Sequence, residues 1–297
     1  LPNHWRWRKW GMPVQVLAAM SGLLLAIPVP FGFAASRPST PTSMVEASDV
    51  LHAAGMQSAQ EVLSTDLHLQ DLEALNRSRF TQANGLNLPH ATLDQLLAAA
   101  RAQEFQFLIF DAINGPKLYP GLTDLLSPET HPGGLVPLYI EPDRAFVVYR
   151  IEDQPTVNDR PKAMFDLGIS LQNYELNVNH PVTEAADIRD IGVFLDWHIQ
   201  QPLTESYKVF VHISDAEGRV IAQDDSIPQS WTYPTTDWRA GQHVGDFHRI
   251  RIKIDLNVTY HVVVGLYTEG TAVRLKLLDV NGAATADQFV LQNLDIH

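Results

Sequence analysis

Residues 249–266 read RIRIKIDLNVTYHVVVGL. Ile250, Ile252, Ile254 and Leu256 alternate with Arg249, Arg251, Lys253 and Asp255, and Tyr260, Val262, Val264 and Leu266 follow in the same rhythm. A period of two puts the apolar groups on one face and the charges on the other, as in a strand with one side in a core and one in water. The rhythm extends upstream through three rows: Phe165, Leu167, Ile169 and Leu171; then Ile191, Val193, Leu195, Trp197 and Ile199; then Tyr207, Val209, Val211 and Ile213. Downstream, Val273, Leu275 and Leu277 continue it, and DQFVLQNLDI supplies a last strand. Turn signals such as DAEG and TEG separate the rows. This pattern predicts an antiparallel β-sandwich, of jelly-roll or immunoglobulin-like type, over residues 160–297.

Residues 49–152 read differently, as a small α/β domain. MVEASDVLHAA ahead of Gly55 has the form of a short helix with a glycine stop, and EVLST that of a strand. In ATLDQLLAAARAQ, Thr92 and Gln95 have capping-box spacing, and Leu93, Leu96 and Leu97 share a helical face. FQFLIFD is a near-continuous apolar run, expected as a strand covered on both faces. LVPLYI and AFVVYRI add two strands across the turn EPDR. The whole chain is therefore α+β, with a Pro/Ser/Thr-rich linker over 37–48.

The first 36 residues carry a third pattern. HWRWRKW (His4–Trp10) holds three cations and three tryptophans, and no charged residue occurs from Gly11 to Ser36. A basic, Trp-bearing flank before an apolar run orients a transmembrane helix with its amino end in the cytoplasm. The same run, followed by Pro28, Pro30 and the small residues GFAAS, also has the form of a cleavable signal segment. Either device places the remainder outside the cytoplasm, anchored at the membrane or secreted. The net charge of −13 opposes binding to nucleic acid. With no cysteine in the 297 residues, disulfides, zinc-thiolate sites and thiol nucleophiles are excluded.

Several residues have chemical potential. If QPLTES closes a hairpin between the rows at 191–199 and 207–213, one allowed register sets Asp196 opposite His212, a polar cross-strand pair. Asp215, Glu217 and Gly218 occupy turn positions, and calcium would require Asp224 and Asp225 to converge with them. His243, Asp246 and His248 in HVGDFH resemble a metal triad by type, but odd and even positions send them to different faces. No metal or cofactor is therefore expected. Trp231, Tyr233 and Trp238 are aromatics on sandwich loops, suited to stacking on sugar rings or to plugging the end of the sandwich. Glycine-rich phosphate loops, the G-x-S-x-G elbow and H-E-x-x-H are all missing. Asn76–Ser78 and Asn257–Thr259 match the glycosylation sequon. A hydrolase built on Asp196, Asp224 or Asp225 would need two carboxyls facing across a cleft.

YKVFVHISDAEGRVIAQDDSIP, YPTTDWRAGQHVGDFHRIRI and YHVVVGLYTEGTAVRL together resemble a β-sandwich module at the carboxyl end of bacterial membrane glycosyltransferases. These belong to the protein O-mannosyltransferase and aminoarabinose transferase-like superfamily, which takes sugar from a polyprenyl-phosphate donor. The pattern is carried by Val209–His212, Asp215–Gly218, Ala222–Asp225 and Tyr233–Gly241, while FQFLIFDAINGPKLYPGLTDLL is similar to the segment after the last membrane span. GLYTEGTAVRL departs from it, since the family usually carries D-P-x-T-G before R-L. The resemblance spans residues 60–297 and implies an extracytoplasmic tail of a longer polytopic enzyme, with Gly11–Ser36 as its final span and a start at Leu1 that marks a fragment. Its partners would be the membrane, a glycan or lipid-linked sugar, and the rest of the transferase. The superfamily's chemistry rests on acidic residues in early outer loops. This sequence has no such loops, so no catalytic residue is carried over. The alternative is a stand-alone carbohydrate-binding protein, secreted or membrane-anchored.

Overall fold

In a computed structural model, residues 41–65, 91–152, 160–181, 184–255 and 258–296 are described. The apolar segment Gly11–Ser36 and the sequons at Asn76 and Asn257 lie outside them. No helix among the described residues is long and apolar enough to cross a membrane.

The alternating rows become two facing sheets. One contains β5 (Ala163–Phe165), β6 (Ile169–Asn179), β7 (Ile188–Ile199), β10 (His243–Lys253), β12 (Leu277–Leu278) and β13 (Ala284–Ala286), in the order β10-β7-β6-β5-β12-β13. The other contains β8 (Tyr207–Ser214), β9 (Val220–Ser226), β11 (Val258–Thr268) and β14 (Phe289–Ile296), in the order β14-β11-β8-β9. All pairings in both sheets are antiparallel. Val193, Leu195 and Trp197 of the first sheet share one core with Val209, Val211 and Val264 of the second. Burying such side chains contributes about 1.5–3 kcal/mol each, which is why the period-two pattern governs this half of the chain. Leu167 breaks its row. It lies in a left-handed turn (φ 62°) and is 42% exposed, because the chain bends between β5 and β6.

A third sheet has the order β1-β2-β4-β3, from β1 (Val62–Ser64), β2 (Phe107–Asp111), β3 (Leu135–Ile140) and β4 (Phe146–Ile151). β1 and β2 are parallel, and helix α2 (Leu93–Ala102) lies between them in sequence, as a parallel crossover requires. Both capping-box bonds between Thr92 and Gln95 are formed. Leu108, Phe110 and Tyr149 face α2, whereas Phe107, Ile109 and Val148 face helix α1 (Pro41–Ala53). Both sides of the sheet are thus covered, and every residue of β2 is buried.

Helix α1 begins at Pro41, inside the stretch read as a linker over 37–48. Proline is tolerated in a first turn, and Ala47, Val50 and Leu51 repay the helix by burial. The helix packs directly on β7, where a Cβ added at Gly192 would fall 1.9 Å from the carbonyl oxygen of Ala53. The described residues form one compact unit.

Candidate ligand cleft

The outward face of the first sandwich sheet carries the odd positions of β10 and the even positions of β7. Near the ends of these strands that face opens a polar cleft of about 880 Å³ against β4 and α2, with Arg101, Arg150, Glu152, Glu175, Asp196 and His243 in its wall. Phe105 and Phe194 add aromatic surface, and Gln103, Gln106 and Asn173 add amides.

Glu152 follows β4 directly. Its amide donates to Gly134 O at 3.0 Å, and its carbonyl accepts from Nε and Nη2 of Arg101. Arg101 is thereby committed to the backbone rather than to the Glu152 carboxyl. That carboxyl lies against Gly245, where an added Cβ would be 2.3 Å from Oε1. Burial and then the neighbouring Asp196 push the Glu152 pKa up to about 7, against the pull of Arg150 and Arg101. Burial also raises Asp196, although His243 Nδ1 meets its Oδ1 at 3.0 Å. His198 is held below the usual histidine range by burial and by His243, whose ring centre is 5.0 Å away. Arg150 donates from Nη2 to Glu175 Oε1 at 2.7 Å, and its guanidinium carbon sits 4.2 Å above the Phe194 ring centre.

The expected Asp196–His212 pair does not form. QPLTES is no hairpin loop. It buries Leu203 in the core and carries the chain from one sheet to the other, so β7 and β8 never pair. Asp196 bonds His243 instead, and His212 Nε2 meets Asp225 Oδ1 at 3.0 Å on the neighbouring strand. Burial lowers the His212 pKa against the attraction of Asp225.

The aromatic trio is also divided. Trp238 and Tyr233, 2% and 6% exposed, belong to the sandwich core and have no free ring face for a sugar. Trp231 is 55% exposed, with Lys208 Nζ 4.5 Å from its ring centre. It ends a turn in which Gln229, Ser230 and Trp231 are all left-handed, at φ 55°, 56° and 71°. Such backbone costs about 1–2 kcal/mol per residue. The turn is held by Gln229, whose amide donates to Asp246 Oδ1 at 2.8 Å and whose Nε2 donates to Gly245 O at 3.1 Å.

HVGDFH splits by parity. His243 faces the cleft, while Asp246 and His248 point inward and are fully buried. His248 bridges two carboxylates, Asp246 Oδ2 at 3.0 Å and Asp224 Oδ2 at 3.1 Å, and so clasps the sandwich edge where β9 meets β10. Burial alone would favour neutral imidazole, but the two carboxylates outweigh it and push the pKa up to about 10. With both ring nitrogens engaged, His248 is a structural cation rather than a base. Asp215 caps its turn, accepting from the amides of Glu217 and Arg219 at 3.1 and 2.9 Å. Among the described residues, no three His, Asp or Glu side chains are grouped to hold a metal.

Sequence reasoning passed over Glu152 and Arg150. One signal pointed to Glu152: a glycine inside the β10 pattern, at position 245, marks close approach by another group.

No protein-family model and no curated protein matches the chain. Solved structures give only loose likenesses. A glycoside hydrolase family 2 β-glucuronidase shares 12% identity over 46% of this chain and 13% of its own, with a TM-score of 0.28. A β-glucuronidase from Ruminococcus gnavus shares 13% over 51% and 17%, with 0.23, and a family 2 member from Bacteroides cellulosilyticus shares 13% over 47% and 16%, with 0.28. The chain therefore spans less than a fifth of the length of each.

Proposed function

We propose that this chain is a non-catalytic glycan- or acceptor-holding module, the extracytoplasmic tail of a polyprenyl-phosphate-sugar-dependent membrane glycosyltransferase. The observation that carries the binding role is the cleft between β4, β6, β7 and β10, which combines aromatic surface with converging amides and carboxyls. Sugar hydroxyls both donate and accept, and this wall offers partners of both kinds. The ordered motifs between Val209 and Gly241 support the transferase context. The cleft, rather than the loop of Trp231, is the binding surface.

Retention of the 297-residue chain on immobilised neutral oligosaccharides tests the reading. Asn173 is exposed in the cleft wall, so Asn173→Trp fills the space without touching the core. Wild type is expected to be retained and Asn173→Trp to be released at unchanged melting temperature. Equal retention of both, or of neither, overturns the cleft as a glycan site. Reading the coding frame ahead of Leu1 tests the transferase context: many apolar spans with an acidic first outer loop support it, and an immediate stop codon removes it.

A further inference from the structure

The cleft wall is electrostatically lopsided. Glu61, Glu104, Glu152, Glu175 and Asp196 face two guanidinium groups, those of Arg101 and Arg150. Both guanidinium groups are partly engaged, and the Nη1 of Arg150, which has no partner, is buried. Arg101 gives Nε and Nη2 to the Glu152 carbonyl, and Arg150 is pinned between Glu175 and the Phe194 ring. A phosphate or sulfate site normally presents an open guanidinium fork or a row of free amides. Here one edge of Arg101 is taken by the Glu152 carbonyl, the unpartnered Nη1 of Arg150 is buried, and five carboxyls surround the two cations. Hydroxyl groups meet no such obstacle, because they donate to carboxylates and accept from Gln103, Gln106 and Asn173.

We infer that the cleft selects an uncharged sugar chain and rejects sugars bearing phosphate or sulfate. This rests on the glycan reading above and specifies which glycans qualify. In a transfer reaction the occupant would then be the phosphate-free partner, not the phosphate-linked donor.

Glu152 adds a pH dependence to this selection. It faces Asp196 of β7, Arg150 of β4 and Arg101 of α2, with His243 of β10 bonded to Asp196 and His198 beside that histidine. Its pKa of about 7 means that the cleft gains a negative charge as pH rises through neutrality. Protonation of His198 shifts the field in the same direction as protonation of Glu152, so a Glu152 variant is needed to separate them.

The test uses the neutral oligosaccharide best retained by the 297-residue chain and its monosulfated form, whose charge is constant between pH 6 and 8. Calorimetric titration at low salt is expected to give about tenfold weaker binding of the sulfated form at pH 8, and a smaller gap at pH 6. Glu152→Gln is expected to reduce the gap at pH 8. Glu175→Gln, which releases Arg150, is expected to strengthen sulfated binding several-fold. Sulfated binding equal to or tighter than neutral, or a gap unmoved by both variants, overturns the inference and leaves the glycan reading standing. Failure to bind either form overturns the glycan reading itself.

Discussion

The Glu152 carboxyl fills the space that a side chain at Gly245 would enter: a Cβ there would lie 2.3 Å from Glu152 Oε1 and 2.5 Å from Val136 Cγ2. The third sheet and the sandwich meet through this vacancy, and it brings Glu152 beside Asp196.

Gly245→Ala should therefore be more disruptive than an exposed strand glycine-to-alanine change, which stabilises in most strands. Overpacking of this kind costs about 1–3 kcal/mol. The expected result is a drop of several degrees in melting temperature together with weaker glycan retention. A variant as stable as wild type would show that the carboxyl moves aside freely.

Glu152 makes stability fall with pH. Its folded pKa of about 7 exceeds its unfolded value, so the native state binds the proton more tightly. That contribution is complete below about pH 4.5 and is lost as pH rises through 7, with a slope of at most about 1.4 kcal/mol per pH unit. Urea denaturation between pH 4.5 and 8 should show the decline in wild type and a flatter profile in Glu152→Gln. Identical profiles would mean that the carboxyl titrates normally.

His248 acts in the same sense at higher pH. Its folded pKa of about 10 lies above the unfolded histidine value, so its contribution is complete below about pH 6.5 and disappears as pH rises through 10. His248→Ala leaves two carboxylates without their cation and should cost about 3–5 kcal/mol. Denaturation at pH 7 and pH 9.5 should show the penalty of the variant shrinking at the higher pH. A constant penalty would refute a charged His248.

Trp238 and Trp231 should separate cleanly. Trp238→Ala empties a fully enclosed site and is expected to cost about 3–5 kcal/mol, with loss of near-ultraviolet dichroism. Trp231→Ala should change stability by no more than about 0.5 kcal/mol. Equal effects would contradict their different burial.

The sandwich strands were legible because period-two alternation is a local consequence of half-burial, as in Ile250, Ile252 and Ile254. The capping box at Thr92 was legible for the same local reason. Sheet membership was not. Whether β7 continues into β8 as a hairpin or crosses to the other sheet depends on Leu203 finding the core, and alternation alone reads the same in both cases. The exposed or buried state of Trp231, Tyr233 and Trp238 was hidden likewise, since loop aromatics are placed by tertiary closure. Parity did separate His243 from Asp246 and His248, but the Asp224 partner of His248 arrives from a different sheet. Glu152 could not be linked to Asp196 from sequence, because their proximity arises only when the third sheet docks.

Helix α1 carries a consequence for biosynthesis. Asp49, in the helix, bonds Arg251 at 2.9 Å, and Glu46 bonds Arg249, while Asp190 holds both arginines from β7. The helix is translated some two hundred residues before the arginines that neutralise it. At ~5–20 residues per second, the ribosome supplies those partners roughly 10–40 s later. Until then the apolar stripe of Ala47, Val50 and Leu51 has only the third sheet, through Phe107, Ile109 and Val148, to lie on. The beginning of the described chain thus meets its apolar partners in the third sheet first, and gains its charged partners only when the sandwich is complete.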